Sequence, residues 1–188
     1  MTTQTEFLLR ELQAHTNMFA QLQILFPQVK LIAEELRNTL LRGGKILIMG
    51  NGGSAADSQH IAAEIVGRYK KERRGLAAIA LTTDTSILTS VGNDYGYDYI
   101  FARQIEALCR PEDLVIGITT SGNSKNVVNA IIEANLIGAT TVGLTGGTGG
   151  KLLELCKFNL VMPSNDTPRI QEAHMFIGHS LCGLLEAD

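Results

Sequence analysis

The chain has 188 residues, 45% hydrophobic and 19% charged, with a formal net charge of −3, a balance that suits one globular unit with a sizeable core. Its 16 basic and 19 acidic residues are scattered, which excludes a polyanion-binding face, so nucleic acid is not an expected partner. No apolar run reaches membrane-spanning length and the first residues lack the apolar stretch of a signal peptide, so no membrane partner is expected and the expected location is cytoplasmic.

From 5 to 42 the spacing predicts helix, with Phe7, Leu8, Leu12, Phe19, Leu22 and Phe26 recurring every three to four residues. Pro27 is expected to break this run into two helices. With Met18, Ile24 and Leu25 added, these apolar residues cover more than one face. One face can pack on the rest of the chain, and the surplus predicts burial against further copies, dispersed by Phe19→Glu or Leu22→Glu. After Gly43 and Gly44, short apolar runs at 45–49, 76–81, 114–118, 141–144 and 159–162 read as strands. Amphipathic patterns at 55–69, 99–109, 124–137 and 151–155 alternate with them, and a last helix runs from about 168 to 185. Such alternation predicts an α/β fold: a three-layer sandwich around a five-stranded parallel sheet, doubly wound. The expected organisation is a single unit over 1–188, a helical segment at 1–43 preceding an α/β core at 44–188. Cys109, Cys156 and Cys182 are far apart and form no CxxC pair, so they read as reduced core thiols.

In doubly wound folds ligands sit beyond the carboxyl ends of the strands, which directs attention to three loops. The first strand runs into Gly50-Asn51-Gly52-Gly53-Ser54, where glycines allow close approach to a ligand and a helix N-terminus follows at once. Ser54 is a natural N-cap for that helix. The run Gly50-x-Gly52-x-x-Ala55 approximates a dinucleotide fingerprint, with Asp84 as a late candidate for the ribose acid. Against that reading, the chain has no room for a second catalytic domain, and the lysine of a P-loop is missing. The third strand runs into Thr119-Thr120-Ser121-Gly122-Asn123-Ser124. Its four hydroxyls and backbone N–H groups suit a phosphate held by neutral donors, or simply a capped turn. After the second strand, the loop at 82–90 leads to Asn93 and Asp94, which can form turns or bond sugar hydroxyls.

On the helix after Ser54, the residues Asp57, His60, Glu64 and Arg68 share one face. A solvated polar stripe is the ordinary explanation, but His and Glu four apart can also ligate one metal or pair as base and orienter. The final helix offers Gln171, Glu172, His174 and His179. Gln171 and His179 stand roughly 80° apart on a helical wheel and are expected to converge on one site. Periodicity does not choose between His174 and His179 as the functional histidine.

These segments resemble the sugar isomerase (SIS) family, whose fold is flavodoxin-like, and more narrowly the bacterial phosphoheptose isomerases. The resemblance rests on GNGGSAADSQHIAAEIVGRY at 50–69, SVGNDYGYDYIF at 90–101, TTSGNSKNV at 119–127 and RIQEAH at 169–174, followed by His179. It implies a phosphosugar isomerase that converts D-sedoheptulose 7-phosphate to D-glycero-D-manno-heptose 7-phosphate, a heptose precursor for lipopolysaccharide or capsule. It implies that Asn51, Gly52, Gly53, Ser54, Asn93, Asp94 and Gln171 contact the sugar. It implies that Thr119, Thr120, Ser121 and Ser124 grip the phosphate, that Glu64 and His179 are the acid–base pair, and that Glu64 also touches substrate. It also implies one zinc per subunit, held by His60, Glu64, Gln171 and His179, and a homotetramer with active sites near subunit boundaries. Pro168 stands where the family often has a small or acidic residue, and Pro suits the first turn of a helix. The alternative is a non-catalytic SIS protein that senses sugar phosphates or binds other proteins, such as replication initiators. Such a scaffold has no reason to keep the acid–base and metal set together.

Overall fold

The computed structural model describes residues 3–187. Two helices come first, α1 (Thr3–Phe19) and α2 (Phe26–Leu41), joined through a 3-10 turn at Leu22–Leu25. Pro27 does not break a helix as expected. It lies in the first turn of α2, where its missing N–H costs nothing, and the break precedes it. Five strands follow: β1 (Ile46–Gly50), β2 (Ala78–Ala80), β3 (Leu114–Ile118), β4 (Thr140–Gly146) and β5 (Phe158–Met162). All pairings are parallel and the order is β2-β1-β3-β4-β5. The connecting helices are α3 (Gly53–Val66), α4 (Thr85–Asp94), α5 (Ala102–Leu108), α6 (Lys125–Ile137) and α7 (Leu152–Leu155), and α8 (Thr167–Leu185) closes the fold.

Side chains alternate across each strand and split the core in two. Ile46 and Ile48 of β1 join the cluster under α2, α3 and α8, while Leu47 and Met49 join the one under α5, α6 and α7. With both faces covered, β1 and β3 are buried at every position, as an internal parallel strand requires. The strand order reverses between β1 and β3, so the loops after these two strands flank the crevice at the switch point.

Helix α4 lies where the sequence pattern reads as loop. None of its residues is fully buried, and only Leu88 and Val91, partly buried, pack against the core. It forms because Asp84 caps it, its Oδ1 accepting from Ile87 N at 2.9 Å, and because the hydroxyl of Thr89 bonds back to Thr85 O. Asp84 thereby has a structural role rather than that of a ribose acid. Helix α3 starts two residues earlier than a Ser54 cap would set. Gly52 is the N-cap, and Ser54 lies in the first turn, 4% exposed. At its other end α3 stops at Val66, so Arg68 falls outside the helix whose face it was expected to share.

The N-terminal segment divides as its composition suggests, with one difference. Phe7, Leu8, Leu12 and Ile24 remain exposed, whereas Met18 and Leu22 are buried in the chain's own core. Leu22→Glu would therefore unfold the protein rather than disperse an assembly, since a buried charge without a partner is strongly destabilising. Among the described residues no helix is long and apolar enough to cross a membrane.

Candidate active site

The loop after β1 and the first turn of α6, which follows the β3 loop, are tied together by side-chain amides. Asn51 Nδ2 donates to Asn126 Oδ1 and Asn126 Nδ2 donates back to Asn51 Oδ1, both at 2.8 Å. The hydroxyl of Tyr97 also donates to Asn51 Oδ1 at 2.9 Å. Asn51, expected to contact sugar, thus spends its carbonyl oxygen inside the protein and sets the width of the crevice. Asn126 and Tyr97 were not foreseen. Asn126, 2% exposed, lies just past the hydroxyl-rich loop.

In the β3 loop the hydroxyls converge. Thr119 Oγ1 lies 2.9 Å from Ser124 Oγ and 3.5 Å from Ser121 Oγ. Ser124 is the N-cap of α6 but its side chain makes no capping bond, which leaves its hydroxyl for other partners. Gly122 adopts φ 68°, and a Cβ there would lie 1.9 Å from Gly149 O, so only glycine lets this loop seat against the loop after β4. Thr120 and Ser121 face a hollow of about 270 Å³ shared with Gly146, Thr148, Asn165 and Thr167. Gln171, near the start of α8, reaches this same edge of the sheet. A Cβ on Gly53 would sit 2.4 Å from Gln171 Nε2, so Gly53 makes room for the carboxamide. Asn93 and Asp94 occupy the last turn of α4, both exposed, with Asn93 Nδ2 donating to Asp94 Oδ1 at 2.8 Å.

A second cluster forms where α3 packs on α8. His60 Nε2 lies 3.1 Å from His179 Nε2 and 3.2 Å from Glu64 Oε1. One ligand atom from each of His60, Glu64 and His179 falls within 4.8 Å of the others. The ring of Tyr69 stacks on His179 at 5.4 Å with the planes 22° apart. The nitrogen–nitrogen and nitrogen–oxygen spacings match the edge of a zinc tetrahedron, about 3.3 Å for bonds near 2.0 Å. Two imidazoles and a carboxylate are also a donor set that suits zinc. Asp57, one turn before His60, has its carboxyl raised to about 6 by burial, a shift that His60 opposes.

The histidine that periodicity left open is His179. His174 is fully buried, its Nε2 is 3.1 Å from Thr145 O, and burial lowers it to about 4, with the Thr145 bond opposing. It is a neutral core residue near pH 7.

Gln171 does not join His179. Eight residues apart on one helix, their Cα atoms differ by about 12 Å of rise. Likewise α3 runs away from the β1 loop. Ile65 O accepts from Leu76 N just ahead of β2, at the amino ends of the strands. Eleven residues separate Gly53 from Glu64, about 16 Å along the axis. The site residues therefore form two groups: a loop group at the carboxyl edge of the sheet, and the His60–Glu64–His179 group well down the α3–α8 seam.

The SIS domain family profile matches residues 13–146. The phosphoheptose isomerase of Aliarcobacter butzleri is 64% identical over 148 residues, covering 79% of this chain and 78% of that protein. That of Helicobacter hepaticus is 53% identical over 178 residues, 95% of this chain and 91% of that one. The structure of the phosphoheptose isomerase from Neisseria gonorrhoeae superimposes with a TM-score of 0.93 at 41% identity, covering 98% of this chain and 99% of that one.

Proposed function

This chain belongs to the SIS-domain family and, within it, to the phosphoheptose isomerases, and from that membership we propose that it interconverts D-sedoheptulose 7-phosphate and D-glycero-D-manno-heptose 7-phosphate in the cytoplasm. The observation that carries the reading is the meeting of His60, Glu64 and His179 from helices more than a hundred residues apart in the chain. A binding scaffold gains nothing from placing two imidazoles and a carboxylate within bonding distance. Incubation with sedoheptulose 7-phosphate should produce the aldose, and a protein that binds the ketose but never converts it would leave the sensor reading.

The reaction moves a proton from C1 to C2. Glu64 removes the C1 proton while the C2 oxygen gains one, giving an enediol. Glu64 then returns its proton to C2 as the O1 hydroxyl loses its own. His179, beside Glu64, moves protons among the sugar oxygens and opens the cyclic form. The hydroxyls of Thr119, Thr120, Ser121 and Ser124 hold the phosphate, and that remote anchor orients C1 and C2. Gln171, Gly52, Gly53, Asn93 and Asp94 line the approach between anchor and reacting carbons. Ser121→Ala and Ser124→Ala are each expected to weaken phosphosugar binding by about 1–3 kcal/mol, the range for a charged acceptor deprived of a hydrogen bond. Calorimetric titration measures this, and unchanged affinity in both variants would move the phosphate elsewhere.

His60, Glu64 and His179 would hold one zinc ion. Three protein ligands with a position left open is the arrangement of a catalytic rather than a structural zinc. When bound, the ion supplies Lewis-acid polarisation to substrate oxygens. Zinc should co-purify at one equivalent per chain and be lost in His60→Ala, by metal analysis of the gently purified protein. Metal-free protein with full activity would leave these residues only their acid–base roles.

The assembly we infer is a homotetramer. Phe7, Leu8, Leu12 and Ile24 are 51%, 65%, 60% and 76% exposed, an apolar surface that suits burial against other copies. The separation of the two residue groups points the same way. A seven-carbon sugar phosphate extends about 10 Å at ~1.5 Å per bond, less than the rise between Gly53 and Glu64. A complete site then takes its phosphate loop from one subunit and its Glu64 and His179 from another.

A further inference from the structure

Helix α3 ends two residues after Glu64, so the base lies in the last turn, where backbone carbonyls run out of intrahelical partners. One side chain reaches two of them, at Glu64 and Ile65. Arg73 Nη2 donates to Glu64 O at 2.9 Å, and Nη1 donates to Ile65 O, Gly67 O and Arg74 O at 3.0, 3.2 and 3.1 Å. Its Nε donates to Glu186 Oε1 at 3.1 Å. Glu186 lies just past the end of α8, with its side chain 3% exposed. Its carboxylate also accepts from three successive backbone N–H groups, those of Tyr69, Lys70 and Lys71, at 2.7, 2.8 and 2.8 Å. These bonds, Lys71 N first, hold its carboxyl down to about 2 against the opposing effect of burial. The backbone they fix includes Tyr69, whose ring stacks on His179.

We propose that Arg73 and Glu186 are positioning residues for the isomerisation, a clamp that sets Glu64 against His179. The proposal rests on the function argued above. One ion pair reaches the base through the carbonyl at Glu64 and reaches the histidine through the Tyr69 ring. The planar guanidinium suits this task, since its fork directs several donors at once where a lysine offers a single point charge. Neither residue is among those assigned to the phosphate, the sugar or the metal. Loosening the clamp should therefore misplace the reacting groups without weakening the substrate's anchor.

The test compares Arg73→Met, Glu186→Gln and the double variant with Arg37→Met as a control. Arg37 closes the other side of the α8 terminus, donating to Leu184 O and Ala187 O at 2.8 and 2.7 Å. Arg73→Met should lower kcat by at least about tenfold with KM within about twofold, as a misplacement near 1 Å can do. The double variant should be no worse than Arg73→Met alone, because the two residues act as a unit. Arg37→Met should lower the melting temperature and leave kcat unchanged. A second readout needs no substrate: the visible absorption of cobalt(II)-loaded protein should change in both clamp variants and not in Arg37→Met. Wild-type kcat and an unchanged cobalt band in both clamp variants, whatever their melting temperatures, would overturn the proposal. If Arg73→Met fails to fold, the near-isosteric Glu186→Gln decides alone. An altered cobalt band in the clamp variants of a wild type that never isomerises the ketose would sink the functional reading and leave the clamp standing.

Discussion

Glu64→Gln is expected to reduce isomerisation by roughly 10²–10⁴-fold, the usual contribution of a positioned base, with the melting temperature and phosphosugar affinity close to wild type. The side chain is partly exposed on the α3–α8 seam, and its carboxylate faces His60 rather than a buried cation. Replacing it with the isosteric amide leaves no unpaired charge and no cavity, so the fold has little to lose. What is lost is the only group in the cluster that can take a carbon-bound proton as a carboxylate. Glu64 is also placed to ligate metal, so metal analysis must accompany the kinetics. A variant that keeps its zinc and loses turnover assigns the proton transfer to Glu64. Turnover near wild type, with the aldose formed at an ordinary rate, would remove Glu64 from the mechanism.

The parts of this fold that the sequence made legible are those where burial writes a pattern. β3 is a run of Leu114 to Ile118 with every residue buried, and its bounds read off directly. α4 left no such trace. It is a short helix in which Leu88 and Val91 touch the core without being fully buried, the rest being mainly Thr, Ser, Gly and Asn, and it is stabilised by its Asp84 cap and by hydroxyl back-bonds. The helix pairing was legible only in part. A helical wheel gives the angle between Gln171 and His179 but hides the rise, so it made neighbours of two residues about 12 Å apart. His60, Glu64 and His179 could be named, yet their meeting depends on how α3 lies along α8. Gly178 sets that, since a Cβ there would be 2.7 Å from Ile61 Cδ1. Asn51 shows a further limit. Its residue type suits a sugar hydroxyl, and only the packing shows its amide paired with Asn126.

Mixing two impaired variants should restore activity at a substrate concentration too low to saturate the weakened phosphate loop. One chain carries Glu64→Gln and keeps an intact phosphate loop, and the other carries Ser121→Ala with Ser124→Ala and keeps Glu64 and His179. If each site joins the loop of one subunit to the helix seam of another, a hybrid tetramer contains some sites with both halves unmodified. Random exchange of equal amounts places the right pair at about a quarter of the sites, by the symmetry of a closed homo-oligomer. Turnover should then rise to about that share of the wild-type rate, while either variant alone stays far below it. Exchange can be driven by brief dilution in mild denaturant and followed with a mass tag on one chain. A site built within a single chain gives a different result: every chain in the mixture carries one defect, and no arrangement of them repairs it. The physical basis is the mismatch between about 16 Å of helix rise and a substrate about 10 Å long. Hybrid tetramers that form in good yield and remain inactive would return the loop and the seam to one chain. The substrate would then lie along α3 between the phosphate loop and the helix seam of the same chain.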